Sequence, residues 1–297
     1  MLQYLLETGL RHTMNRLVRP ILHPSLPVNL QRTLVAQAFR SSTPPRDCSF
    51  TEETLGGMPI TRANCGGNNI GVILYLHGGG FIFGSPTTHR GIIGHLAKTS
   101  GCQVIAPDYR LAPEHPFPAA LEDAEAVYQA LLDDGVQASQ IALAGDSAGG
   151  GLCLSLALKL RDGKRPLPSS ITVFSPLVDL THEQMHVPET EPVLQVRWLE
   201  RNAHYYGGQE PLTNPLISPI FGDLSGLPPL LIQVGSEEVL LNDSERLANK
   251  AKRQDVQTTL EVFNSLWHVF QFHAGQLARA KAALQGAGAH IKRHLAG

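Results

Sequence analysis

Gly145-Asp146-Ser147-Ala148-Gly149 follows directly on the apolar run Ile141-Ala142-Leu143-Ala144, and His77-Gly78-Gly79-Gly80 closes the run Val72-Ile73-Leu74-Tyr75-Leu76. A serine in Gly-x-Ser-x-Gly, after a strand and before a helix, sits on a sharp turn, and its glycines leave room for crowded backbone. That turn pushes the Ser147 Oγ out to where a substrate carbonyl can reach it. A glycine run at another strand end brings bare N–H groups to the oxyanion that such an attack creates. Neither motif decides alone, since a chain with 28 glycines can produce Gly-x-Ser-x-Gly by chance. The pair, in this order and each at a strand end, is a strong signal.

From residue 70 onward the chain alternates strand and helix. Short β-rich runs predict strands at Val72–Leu76, Gln103–Ala106, Ile141–Ala144, Ile171–Phe174, Leu230–Val234 and Thr259–Phe263. Helical spacing falls between them, at about 89–100, 119–133, 148–161 and 243–254, and again at about 270–295. Leu121, Ala124, Val127, Tyr128, Leu131 and Leu132 mark one face of the second of these, with Gly135 as its stop. Such alternation predicts an α/β fold, a mostly parallel sheet covered on both faces. Chemistry in these sheets gathers at the carboxyl ends of strands, where His77 and Ser147 both stand.

The flanks read differently. Leu2, Leu5, Leu6, Leu10, Met14, Leu17, Val18 and Ile21 recur at helical spacing and predict an amphipathic helix packed on its own domain. Ser41-Ser42-Thr43-Pro44-Pro45 is a break, after which Asp47–Leu55 and Pro59–Cys65 flank Gly56-Gly57 as a hairpin. Residues 180–216 interrupt the alternation, with a helix expected around Leu194–Tyr206, and read as an insertion over the active face.

Composition bounds the function. The chain has 297 residues, 42% hydrophobic and 17% charged, an ordinary globular balance. A net charge of −2 gives no basic footprint for nucleic acid. Cys48, Cys65, Cys102 and Cys153 lack C-x-x-C spacing and read as reduced thiols, the last two in apolar surroundings that suggest packing. No apolar stretch reaches transmembrane length, and Met1 to Arg19 lacks the apolar core of a signal peptide. The cytoplasm is therefore the default compartment.

A serine needs a base, and the base needs an orienting acid. The chain order of the α/β-hydrolase constellation is serine, acid, histidine. Gly235-Ser236-Glu237-Glu238 follows the strand Leu230–Val234, and Trp267-His268-Val269-Phe270 follows Thr259–Phe263. Of the two histidines in that last region, His273 is expected inside the final helix, so His268 is the candidate base.

At this point the chain resembles the hormone-sensitive lipase-like family of bacterial esterases within the α/β-hydrolase fold. The resemblance rests on His77-Gly78-Gly79-Gly80, on Asp108-Tyr109-Arg110-Leu111-Ala112-Pro113-Glu114-His115-Pro116-Phe117-Pro118-Ala119-Ala120, on Gly145–Gly150 and on His268-Val269-Phe270. It implies Ser147 as nucleophile, His268 as base, and an oxyanion hole from the N–H groups of Gly78, Gly79 and Ala148. It also implies a discontinuous helical cap, residues 1–40 and 181–216, over a catalytic domain of residues 41–180 and 217–297. The family's usual Gly-x-Asp-Pro-Leu-x-Asp is replaced by Gly235-Ser236-Glu237-Glu238-Val239-Leu240-Leu241-Asn242-Asp243. Counting from Gly235 gives Glu237 as the acid, whereas registering Leu240 on the family's leucine gives Glu238. Glu238 is preferred, with Glu237 and Asp243 as alternatives. A glutamate can orient histidine as an aspartate does.

Other motifs are weighed against this reading. His182-Glu183-Gln184-Met185-His186 spells the zinc-hydrolase pattern, but Pro176, Pro188 and Pro192 leave little room for the helix that would align both histidines. Neither glycine run gives G-x-G-x-x-G or a Walker lysine, so no phosphate or dinucleotide site is expected. Phe81, Phe83, Trp198 and Phe221 are candidate pocket residues. The expected activity is a serine carboxylesterase on small, short-acyl esters, with no cofactor, no metal, no nucleic acid and no integral membrane association; a homodimer is compatible with it. Amide or lactone hydrolysis on the same machinery is one alternative. A non-catalytic ligand receptor, like the plant gibberellin receptors of this fold, is another, opposed by the presence of His268.

Overall fold

Eight strands form one sheet in a computed structural model that describes residues 2–39, 42–66, 69–185 and 187–295. The strands are β1 (Ser49–Leu55), β2 (Met58–Asn64), β3 (Val72–Leu76), β4 (Gln103–Pro107), β5 (Ile141–Asp146), β6 (Ser170–Phe174), β7 (Leu230–Gly235) and β8 (Thr258–Phe263). Their order is β1-β2-β4-β3-β5-β6-β7-β8. The hairpin β1–β2 joins antiparallel, and from β4 to β8 every pairing is parallel. β5, β6 and β7 are buried at every position, which is why they read as unbroken apolar runs rather than as alternation.

Between the strands run α3 (Arg90–Ser100), α4 (Ala119–Asp133), α5 (Ser147–Asp162), α7 (Leu241–Arg253) and α8 (Ala278–His294). They follow α1 (Leu2–Thr13) and α2 (Val28–Ala38), and α6 (Val196–Gly207) lies in the interrupting segment. The chain steps from β3 outward to β4, then crosses back to lay β5 on the other side of β3. The carboxyl ends of β3 and β5 thus form the crevice where the winding reverses, the usual ligand position in such sheets. Leu76 pairs with Gly145, so the residues just beyond, His77 and Ser147, leave the sheet side by side.

Several expectations need correction. The expected N-terminal stripe does not pack as one face: Leu10, Met14 and Ile21 are partly buried and Val18 is buried, but Leu5, Leu6 and Leu17 are exposed. A π-helical stretch at Met14–Val18 follows α1, and its wider turn shifts the spacing of the residues within and beyond it relative to α1. Leu2's side chain, Arg40 and Ser41 lie outside the described residues, as do Met1, His186 and Gly297.

His273 is not in the final helix, because a 3-10 turn over Phe270–His273 precedes α8. Cys48 and Cys65 are not free thiols but a disulfide. Ser49 faces Asn64 in the hairpin, so the next pair along is Cys48 and Cys65, with Cα atoms 4.0 Å apart. That neighbourhood is invisible without the strand register. Cys102 and Cys153 are free and buried, as packing residues would be. Among the described residues no helix is long and apolar enough to cross a membrane.

Candidate active site

Ser147 opens α5 directly after β5, with φ of +50°, a left-handed conformation that costs energy for a residue with a Cβ. Gly149 makes the turn compatible with its surroundings, since a Cβ there would run into the carbonyls of Leu76 and His77. The first turn of α5 therefore lies flush against the end of β3, and the serine motif meets the glycine motif. Gly79 has φ of +121°, open only to glycine in practice, and a Cβ there would run into the Phe83 carbonyl, so the loop turns tightly on itself.

The loop after β3 is held from beneath. His77 is buried, and burial, with His89 nearby, pushes its pKa down to about 3, so the ring is neutral. Its Nδ1–H donates to Gly78 O at 2.9 Å. Tyr109 stacks on this ring, 4.1 Å between centroids and 10° between planes, and its hydroxyl donates to His77 O at 2.5 Å. The guanidinium of Arg110, next in sequence, clamps Asp123 with bonds of 2.7 to 3.0 Å. The stretch Asp108–Ala120 thus buttresses the glycine loop.

Asp146 anchors the same loop from the serine side. Its Oδ1 accepts Tyr75 O–H at 2.6 Å and Gly78 N–H at 3.0 Å, and its Oδ2 lies 3.4 Å from His89 Nε2. Burial pushes the carboxyl up, but His89, Tyr75 and His77 outweigh it and hold Asp146 below the ordinary carboxylate range. The expectation that Gly78 offers a free N–H is corrected here, because Asp146 takes it. The N–H groups of Gly79 and Ala148 have no acceptor among the described residues.

Glu238 is fully buried in the turn between β7 and α7. Its Oε1 lies 3.1 Å from His268 Nδ1, and its Oε2 accepts Ser175 O–H at 2.8 Å and Gly235 N–H at 2.9 Å. Of the three candidate acids, only this one meets the histidine. Glu237 turns away into an ion pair with Arg11. Asp243 lies inside α7 rather than capping it, and its Oδ2 accepts the N–H groups of Val178 and Asp179 at 3.3 and 3.2 Å. Burial works against a charged His268, yet the Glu238 hydrogen bond and the charges of Glu238, Glu191 and Asp146 prevail. They hold its pKa above the ordinary 6.5.

Ser147 and His268 line one pocket of about 830 Å³, mouth included, together with Gly79, Gly80 and Asp146. Its remaining walls are mostly apolar: Met14, Val18 and Val35 from the N-terminal segment, Val193, Leu194 and Trp198 from the interrupting segment, and Phe83 from the glycine loop. The two segments are tied to each other, Arg19 donating to the carbonyls of Glu191 and Leu194 and Trp198 Nε1–H to Gln31 Oε1 at 3.3 Å. Of the four expected pocket aromatics, Phe83 and Trp198 line it. Phe81 instead stacks on Tyr206 with centroids 3.6 Å apart, and Phe221 lies on the surface.

His182 and Glu183 sit in a turn, not on a helix, so they do not share a helical face, and His186 lies outside the described residues. Two polar residues escaped the sequence reading, Ser175 and Glu191. Ser175 carries a signal in hindsight, since Ser175-Pro176 ends β6 on the edge of the sheet where the other site residues emerge. Glu191, in a segment without periodicity, carries none.

Known proteins resemble this chain over most of its length. The model of the alpha/beta hydrolase fold family matches residues 73–272. An acetyl-hydrolase of Streptomyces hygroscopicus is 42% identical over 224 residues, spanning 74% of this chain and 75% of that protein. An esterase of Acinetobacter venetianus is 40% identical over 217 residues, 72% of each. The crystal structure of an esterase from the bacterial hormone-sensitive lipase family, 34% identical, superposes with a TM-score of 0.91 over 100% of this chain and 99% of the other. The chain belongs to the alpha/beta hydrolase family, among the bacterial esterases of the hormone-sensitive lipase type.

Proposed function

We propose that this carboxylic ester hydrolase cleaves short-acyl esters through an acyl-enzyme on Ser147. The observation that carries the reading is a buried Glu238–His268 pair opening onto the pocket that also holds Ser147 on its strained turn. Ser147 Oγ attacks the ester carbonyl while His268 takes its proton, and Glu238 holds the ring and stabilises the imidazolium. The N–H groups of Gly79 and Ala148 receive the oxyanion, each such donor being worth about 2.7–4 kcal/mol. Gly78, whose N–H is bound to Asp146, serves by fixing the loop. The C–O bond then breaks, and the alcohol leaves with the proton from His268. Water, deprotonated by the same histidine, releases the acid and restores Ser147.

Residues 1–40 and 181–216 act as the cap and residues 41–180 and 217–297 as the catalytic unit, because both cap segments contribute pocket walls. The short-acyl preference is supported by Phe83 and Trp198, whose rings, 5.6 Å apart, narrow the space near Gly80. The Cys48–Cys65 bond weighs against the cytoplasmic assignment, such bonds being rare in reducing compartments. Thiol trapping at lysis decides that point.

A panel of nitrophenyl esters of increasing acyl length, beside amides and lactones, tests the activity. Turnover is expected to peak at short acyl chains and vanish in Ser147→Ala, with an organophosphate labelling Ser147 alone. Retained turnover in that variant, or faster palmitate than butyrate cleavage, would overturn it.

A further inference from the structure

Glu191 stands in the interrupting segment with 4% of its surface exposed, and no cation pairs with its carboxylate among the described residues. It is nevertheless fully engaged. Oε1 accepts the N–H groups of Val193 and Leu194 at 2.6 and 3.0 Å, and Oε2 accepts the N–H of Val239 at 2.9 Å. The first two bonds close a turn whose residues line the substrate pocket. The third reaches the residue next to Glu238. One buried carboxylate therefore spans two parts of the molecule, the pocket wall and the turn that carries the acid. A buried carboxylate without a salt bridge is costly to keep, and three N–H donors are what make it tolerable.

We propose that Glu191 is a positioning residue of the hydrolytic centre: it clamps the Glu238 turn to the pocket wall and sets a second buried negative charge within electrostatic reach of His268. The inference rests on Glu238 and His268 being the acid and base. The other anchors of the acid turn come from elsewhere: Ser236 N–H donates to Phe263 O and Glu237 N–H to Leu266 O, both at 3.0 Å, and Gly235 N–H and Ser175 O–H donate to Glu238 itself. Among the described residues, Glu191 is the only acceptor of the Val239 N–H. Three carboxylates bear on His268: Glu238 from the β7–α7 turn, Glu191 from the interrupting segment and Asp146 from the end of β5. Two neighbouring cations are committed, Arg11 to Glu237 and Arg19 to the carbonyls of Glu191 and Leu194. Burial pushes the Glu191 carboxyl up and Glu238 adds to this, while the N–H bonds of Val193 and Leu194 and the charge on His268 oppose it.

The test compares Glu191→Gln and Glu191→Asp with wild type and with Glu238→Gln, using nitrophenyl butyrate across pH and thermal unfolding as a control for folding. In Glu191→Gln the amide cannot accept from both segments, so kcat is expected to fall roughly 10- to 100-fold, the scale of a catalytic group displaced by about 1 Å. Its lost charge favours neutral His268, so the acid limb of kcat/KM moves to lower pH. Glu191→Asp keeps the charge and shortens the reach; its limb stays at the wild-type position while kcat falls between the other two. A purely structural residue would lower kcat and leave the limb unmoved, and that result overturns the proposal. So does a Glu191→Gln enzyme within twofold of wild type at every pH. If Glu191→Gln does not fold, Glu191→Asp carries the test, and wild-type kcat or a displaced limb there overturns it. An inactive Glu238→Gln beside a normal Glu191→Gln removes this role and leaves the esterase reading intact. Wild-type protein inert toward every ester removes the reading itself.

Discussion

Ser175 Oγ donates to Glu238 Oε2 at 2.8 Å and accepts the N–H of Val269 at 3.1 Å, so one hydroxyl joins the acid turn to the loop bearing His268. Its single proton has one destination, since the Val269 N–H already claims a lone pair. Ser175→Ala leaves that N–H buried without an acceptor and removes one of the three bonds to Glu238. The expected outcome is a loss of about 1–3 kcal/mol in stability and of roughly tenfold in kcat, the equivalent of about 1.4 kcal/mol in the barrier. Thermal unfolding and butyrate ester kinetics check both; an unchanged enzyme would show that Gly235 and His268 suffice to place the acid.

The neighbouring glutamates should separate cleanly. Glu238→Gln presents an amide that can favour the wrong imidazole tautomer, and in the serine protease triad the analogous change costs about 10⁴ in kcat. Glu237→Gln breaks only a partly exposed ion pair with Arg11, worth about 0–1 kcal/mol, and leaves kcat near wild type. Measuring kcat for the two side by side checks the assignment, and the reverse ranking would move the acid to Glu237.

The activity should switch on late in pH. His268 must be neutral to act as base, and its surroundings hold its pKa above 6.5. The kcat/KM profile is therefore expected to reach half its plateau above pH 6.5. A midpoint below 6.5 in a stopped assay would contradict the balance of charges described.

Asp243 should make stability pH-dependent independently of catalysis. Burial, reinforced by Asp179, raises its pKa from 3.8 to about 7, Arg246 notwithstanding. The folded protein therefore holds a proton that the unfolded chain has released between pH 3.8 and about 7. This contribution to stability is fully present below 3.8 and is lost as pH rises through about 7. Across pH 5 to 8 the wild-type Tm should carry a downward component that Asp243→Asn removes. Parallel Tm curves for the two proteins would refute it.

Phe81 and Phe83 should divide stability from selectivity. Phe81 is packed on Tyr206 outside the pocket, so Phe81→Ala is expected to cost about 3–5 kcal/mol in stability with little change in acyl preference. Phe83→Ala opens the wall and should raise turnover of hexanoate and octanoate esters relative to butyrate. The ratio of kcat/KM values across the panel checks this, and an unmoved ratio would place the acyl chain elsewhere.

The strands of the sheet were legible because buried parallel strands leave unbroken apolar runs, and Val72–Leu76 falls on β3 residue for residue. The Ser147 and His77 motifs were legible because both sit where the winding reverses, a position set by local chain order. Long-range registers were not. Nothing in the spacing of Cys48 and Cys65 shows that β1 and β2 align them, and nothing near Gly78 shows that Asp146 takes its N–H. Glu191 was hidden for the same reason: its three hydrogen bonds depend on how an aperiodic segment settles against a turn nearly fifty residues on. Leu5, Leu6 and Leu17 misled, because helical spacing marks an apolar stripe without showing which part of it finds a surface to pack against.

The pocket draws its reacting groups from strand ends and their turns, while Met14, Val18, Val35, Val193, Leu194 and Trp198 come from segments outside the sheet. Substitutions among those six can redraw the profile of accepted esters without touching any strand pairing, provided each keeps the buried volume it replaces. The reacting half has no such latitude, since at Gly149 even one added carbon meets the backbone of β3. A directed-evolution library on this scaffold is best spent where the wall is borrowed and left fixed where the sheet supplies it.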